Sequence, residues 1–357
     1  MKPTLLLLLS ACLLSGRGWA QDAAIVARER VQEGVALYDE GKYEQAVAKY
    51  QEALAAVPGD SHAQSELAMT FNTLKRYPEA AALCQQVLEK PDADVAVYVT
   101  YGNSLDGMGK PREAEQAYQR GLRQYPDSYA LYYNLGVAQT GRERLDEALS
   151  SFQHAVSCNP RHASSHLSIG AVELARQKRV PAIMALGQFL VLEPRSERAM
   201  RRVVALDKAM SRGVTQQDEN NITISIDSRT LTDSKRKKTG PDNFSQTDFL
   251  LSLGRAVEMD SKNKAKTEAE RFSSLFSSMC RHLAEVQGKG NHGFMWEFYV
   301  PYYIEMEKRG YVPAFTYLIH SSQMEAGDVQ QWLAAHKTEV EVFQEWARSY
   351  TWPKVKM

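Results

Sequence analysis

The sequence predicts an all-α fold, an α-solenoid of helical hairpins followed by a smaller helical domain. Three observations predict it. Small residues recur at a 34-residue step in two places, Gly34, Ala68, Gly102, Gly136 and Gly170 in one and Ala46, Ala80, Ala114, Ala148 and Ala182 in the other. Large residues share the adjoining places, Tyr50, Cys84, Tyr118, Phe152 and Leu186 in one set and Leu37, Phe71 and Leu105 in another. Prolines punctuate the series at Pro58, Pro126, Pro160 and Pro194, with Pro91 one residue early. Two helices approach closely only where the crossing residues carry little side chain, so small pairs at a fixed step, flanked by large residues, describe stacked hairpins. Proline just past the second helix ends each unit.

These residues, over 27–196, resemble tetratricopeptide repeats, as five units at 27–60, 61–94, 95–128, 129–162 and 163–196. The resemblance implies a right-handed superhelix whose concave groove holds a peptide or a partner protein. Departures fall at the ends. The first unit has Arg30 and Glu33 where inner units have Tyr98, Tyr132, Leu67 and Leu135, as suits a terminal face left to water. In the fifth, Phe189 stands where Ala53 and Ala155 stand earlier, and Gln139 of the fourth and Glu173 of the fifth replace apolar residues at another core place, so looser or different packing is expected there. Glu197–Arg212 reads as an amphipathic closing helix, with Met200, Val203, Val204 and Met210 on one face.

In the family the first helix of each unit lines the groove. The matching places here are Tyr38, Met69, Asn72, Val99, Asn103, Asp106, Tyr133, Val137, Thr140 and Leu167. This is an apolar lining with scattered amides and no lysine or arginine, which argues against a clamp for a terminal carboxylate. Asn72 and Asn103 can bond a peptide backbone, and Tyr133 can pack over it.

The N-terminus has its own signature. Met1-Lys2 leads into the apolar run Leu5–Leu14, too short to span a bilayer, and Gly18-Trp19-Ala20 follows. Residues 1–20 therefore read as a signal peptide cleaved after Ala20, and the protein as exported, periplasmic or secreted. The alternative is a lipoprotein box, Leu9-Ser10-Ala11-Cys12, with a lipid anchor at Cys12 on an envelope membrane.

With 43 basic and 43 acidic residues among 357, the chain carries no nucleic-acid footprint, and no transmembrane span is expected. The other cysteines, Cys84, Cys158 and Cys280, have neither disulfide nor metal spacing. The array with its closing helix occupies 21–212, and 213–243 reads as a linker with one short strand at Ile222–Ile226 and a basic run, Lys235–Lys238. Asn221 and Asn243 match glycosylation acceptors, relevant only in a eukaryote.

Residues 244–357 read as a separate helical domain that resembles no family. Capping boxes at Ser245/Asp248, Thr267/Glu270 and Asp328/Gln331 open helices, and the aromatic stretch Phe294–Tyr317 is broken by Pro301 and Pro313. The turn Gly288-Lys289-Gly290-Asn291-His292-Gly293 lacks the features of a phosphate loop, and no catalytic residue, metal ligand or cofactor site is assigned. The function expected is a protein-binding scaffold. The alternative is an enzyme or ligand-binding site within 244–357, with the repeats recruiting its substrate or partner.

Overall fold

Helices make up nearly all the regular structure, as the periodicity requires. The computed structural model describes residues 4–91, 93–216, 222–225, 240–259, 265–323 and 327–355, with side chains from Gln21 onward. The basic run, Asn221 and Ile226 lie outside the described residues. The helices of the repeats are α1 (Thr4–Asp39), α2 (Tyr43–Ala56), α3 (Ser61–Thr73), α4 (Tyr77–Leu88), α5 (Val95–Gly107), α6 (Pro111–Gln124), α7 (Tyr129–Gly141), α8 (Leu145–Cys158), α9 (Ala163–Ala175) and α10 (Arg179–Leu192). After α11 (Glu197–Ser211) come strands β1 (Val214–Gln216) and β2 (Ile222–Ile224). Then follow α12 (Ser245–Glu258), α13 (Glu268–Val286), α14 (Phe294–Lys308), α15 (Val312–Ile319), α16 (Gly327–Ala335) and α17 (Lys337–Ser349).

Helix crossings fall where the small residues stand. A β-carbon added at Gly34 would come within 2.5 Å of the Tyr50 ring, one at Gly102 would overlap the Tyr118 ring, and one at Gly170 would meet Leu186 at 2.7 Å. Ala46, Ala80, Ala114, Ala148 and Ala182 are all fully buried. Helix starts keep the same step. The side chains of Asp60, Asp94, Ser128 and Ser196 each accept a backbone N–H of the helix that follows, and His162 takes the cap position of α9 without a capping bond. Each such cap contributes about 1 kcal/mol.

The turns inside the hairpins are periodic too. Gly41, Lys75, Gly109, Glu143 and Gln177, 34 residues apart, all have φ between 59° and 77°. At each, the next residue's N–H reaches back five residues, as in Lys42 to the Leu37 carbonyl at 2.8 Å and Lys178 to the Glu173 carbonyl at 2.8 Å. This left-handed closure satisfies the last carbonyls of the first helix and lets the second begin at once.

The chain divides into two compact units, 1–148 and 149–357. The division expected at 213–243 is thus not where the units part. In the first unit each helix packs on its successor, from α1 on α2 to α6 on α7. Tyr50, Phe71, Tyr98, Tyr118 and Leu131 fill the core. Glu115 is buried between Arg142, at 2.6 Å, and Arg144. Burial pushes its carboxyl up, but the hydrogen bonds and charges of the two arginines outweigh that and hold it below its ordinary value.

In the second unit α10 is buried on all sides from Arg179 to Leu190. It packs on α9, α11, α14 and α15. The fifth repeat is therefore not looser. Phe189 is fully buried, and Gly187 lies so close to the Tyr303 hydroxyl that a β-carbon there would stand 2.8 Å from it. The Arg179 guanidinium, buried, donates to the carbonyls of Ala209 and Met210 at 2.6 Å each, to Ser252 Oγ at 2.9 Å and to Asp248 Oδ1 at 3.1 Å. This joins α10 to the end of α11 and to α12.

Several local expectations are corrected. α11 buries Ala199, Val203, Leu206 and Met210, while Met200 and Val204 are 53% and 46% exposed, because the stripe follows the 199/203/206/210 spacing. The expected single strand is one half of an antiparallel pair, Ile222–Ile224 with Val214–Gln216. α12 begins without a box at Ser245, since Asn243 Oδ1 accepts the Ser245 N–H at 2.9 Å. The box at Thr267/Glu270 is present. Pro313 opens α15, but Pro301 lies inside α14 without ending it; its missing N–H removes one helical bond, on the side of the exposed residue Glu297. Tyr302 of α14 stacks with Trp346 and with Trp352, each at 4.9 Å.

Candidate functional site

The residues singled out for recognition stand on α1, α3, α5 and α7, which belong to one unit, except for Leu167 on α9 of the other. Adjoining first helices, α1 with α3, α3 with α5 and α5 with α7, touch more closely than adjoining second helices do. In a bent stack the tighter layer is the inner one, so within residues 1–148 the first helices form the concave side.

None of the ten residues is fully buried. Tyr38, Met69, Asn72, Val99, Asn103 and Tyr133 are half-buried, Asp106 and Thr140 are exposed, and Val137 is 41% exposed. Leu167 is half-buried in the second unit. Each repeat thus presents apolar surface on this face while burying its crossing residues behind it.

The two asparagines are oriented by the array. Asn72 Nδ2 donates to Ser104 Oγ at 2.8 Å, and Ser104 in turn donates to the Thr100 carbonyl at 2.7 Å. That leaves the Asn72 carbonyl oxygen as an acceptor. Asn103 Oδ1 accepts from the Tyr118 hydroxyl at 2.7 Å, which leaves its two amide hydrogens as donors. Neighbouring helices so present one acceptor and one pair of donors, the complement of a peptide unit. Tyr38 is held by its hydroxyl against Thr73 Oγ1 at 2.9 Å, and the Thr140 hydroxyl is spent on the Gly136 carbonyl at 2.8 Å.

Sequence reasoning missed the partners that orient these amides. Tyr118 was legible only as a core residue, and nothing in the spacing says that its hydroxyl reaches across the hairpin to Asn103. Nor does the repeat pattern show that Arg142, just past α7, holds buried Glu115.

The glycine turn before α14 has a structural task. Asp242 Oδ1 accepts the N–H of Met295 at 2.7 Å, and its backbone N–H meets the His292 carbonyl at 2.9 Å. Gly293, at φ 116°, sits so close that a β-carbon would come within 2.6 Å of Asp242. Among the described residues no three His, Cys, Asp or Glu side chains are grouped to hold a metal, and no helix is long and apolar enough to cross a membrane.

Comparison with known proteins matches residues 31–95 and 101–164 to the family model described as Tetratricopeptide repeat. No curated protein sequence matches the chain. Among solved structures, the chain is similar to one described as the functional characterization of Pseudomonas aeruginosa pilF, at 21% identity and a TM-score of 0.47, covering 52% of this chain and 85% of that one. It is also similar to TTC0263, a thermophilic TPR protein of Thermus thermophilus, at 18% identity and a TM-score of 0.44, covering 52% and 98%. YrrB, described as a TPR protein with an unusual peptide-binding site, aligns at 20% identity and a TM-score of 0.38, covering 49% and 89%. The 34-residue step, the small-residue crossings and the matched spans agree, and the repeats of residues 31–95 and 101–164 are tetratricopeptide repeats.

Proposed function

We propose that the repeat array is a protein-binding scaffold that receives an extended or helical peptide along the first helices, and that the protein is exported. The observation that carries the groove reading is the pairing of Asn72 as acceptor with Asn103 as donor on adjoining helices, among Met69, Val99, Tyr133 and Val137. A peptide backbone laid there exchanges its water bonds for these two amides, and its apolar side chains cover surface that is otherwise wet. Export rests on the leucine run and Gly18-Trp19-Ala20, with cleavage after Ala20 and lipidation of Cys12 as the second outcome.

The test is to cross-link the protein in its native host, identify what is captured, and titrate that partner calorimetrically. Tyr133→Ala should weaken binding by about 2 kcal/mol or more and Asn103→Ala by about 1 kcal/mol. Lys110→Ala, at the exposed α5–α6 turn, serves as the control. Arg142 cannot, because it pairs with Glu115. A partner that ignores Tyr133→Ala but is lost on changing the outer surfaces of α2, α4 and α6 would refute the groove. N-terminal sequencing of the native protein checks export, and an intact Met1 would refute it.

A further inference from the structure

A cavity of about 280 Å³ opens in the second unit between the turn after α8, the C-terminal half of α10, and α17 with the segment after it. Its chemistry is unlike that of the groove. Val191, Leu192 and Trp352 give it apolar walls, and Trp352 is fixed by stacking on Phe298 at 4.6 Å. Gln188, only 1% exposed, lines it, and the Gln188 Oε1 atom is shielded from water with no hydrogen-bond partner. Such an acceptor is costly to leave unpaired, and a ligand donor that reaches it offsets that cost.

Two guanidinium groups stand at its edge. Arg161 Nη2 donates to the Arg348 carbonyl at 2.5 Å, and Arg348 Nε donates to the Gln344 carbonyl at 3.2 Å. Among the described residues neither has a carboxylate within ion-pair distance, unlike Arg198, Arg179 and Arg309, which have Glu193, Asp248 and Glu305. Backbone carbonyls orient both cations and neutralise neither.

We propose that this cavity binds a small carboxylate that carries an apolar branch and an N–H donor. The carboxylate meets Arg161 and Arg348, the branch lies against Val191, Leu192 and Trp352, and the N–H pairs with Gln188. A volume just below the roughly 300–1,000 Å³ of typical ligand sites suits a small molecule or the last residue of a chain. An N-acylated amino acid and a peptide end share this chemistry.

The test titrates the full chain with N-acetyl-L-leucine, N-acetyl-L-leucinamide, 4-methylpentanoate and a glycine-rich peptide ending in leucine, read by calorimetry and ligand-observed NMR. Saturable binding of N-acetyl-L-leucine is expected, with the uncharged amide roughly tenfold weaker. Arg348→Gln, on the exposed rim, should weaken the acid about tenfold and leave the melting temperature unchanged. Gln188→Met should weaken N-acetyl-L-leucine but not 4-methylpentanoate, which lacks the N–H. Binding of the peptide as well assigns the site to chain ends, and its rejection assigns it to a free small acid; both support the site. Absence of saturable binding by any probe, equal binding of acid and amide, or an Arg348→Gln variant that binds like the parent would overturn it.

Discussion

The Tyr299 hydroxyl donates to His166 Nδ1 at 2.6 Å, and both side chains are fully buried. The other ring nitrogen, Nε2, faces the Pro160 carbonyl at 2.8 Å and must therefore carry the proton. The ring is neutral, since burial lowers its pKa to about 4. One bond thus ties the first helix of the fifth repeat to α14. Tyr299→Phe should lower stability by about 1–3 kcal/mol, because it strands an acceptor without opening a cavity. Denaturant unfolding measures this, and in a double-mutant cycle with His166→Phe the two losses should not add.

A carboxyl in the same unit gives a pH signature. Burial raises the Glu173 pKa from 4.5 to about 7, with Asp242 adding to the rise and Arg176 opposing it. A pKa raised on folding means that the native state binds the proton more tightly, so stability is full below 4.5 and is lost as pH rises through 7. Glu173→Gln should stabilise the protein at pH 8 by up to about 3 kcal/mol and have little effect at pH 4. Unfolding curves at the two pH values check this, and an equal gain at both would contradict the assignment.

The left-handed turn place invites a paired substitution. Lys75, exposed, adopts φ 61° at cost, whereas Gly109 adopts φ 73° freely and a β-carbon there would meet nothing within 4 Å. Lys75→Gly should stabilise the first unit by about 0.5 kcal/mol, and Gly109→Ala should destabilise it by about 1 kcal/mol through backbone strain alone. Melting temperatures of the two variants should move in opposite directions.

Overpacking tests the helix crossings. Ala114 and Ala182 are each fully buried. Leucine at either place should cost about 1–3 kcal/mol by forcing a hairpin apart. The fifth repeat offers no relief despite its departures in sequence, because α10 is covered on every side. Calorimetric unfolding should show Ala182→Leu losing at least as much as Ala114→Leu.

Much of this was legible in the residues. Place-by-place periodicity yielded five hairpins and their crossings, because a helical pair repeated at one length must put the same residue types at the same contacts. The capping and left-handed turn places lay in the same register, at 60/94/128/162/196 and 41/75/109/143/177, but their residue types vary too much to announce themselves. α10 carried a signal of another kind. Val180 to Leu192 is apolar on every face, where α6 is polar on one side, and a helix apolar all round has to be buried on all sides.

By itself the sequence determined the repeat: helix pairs, their step and their small-residue crossings follow from local periodicity, which any stretch of chain carries within itself. Only the tertiary structure decided what covers α10, which way the amides of Asn72 and Asn103 turn, and that Arg179, His166 and Tyr303 join the fifth repeat to helices far along the chain. Those contacts link residues at least 30, and in two cases more than 100, positions apart, and no periodic pattern records them. Their geometry exists only once the chain has folded.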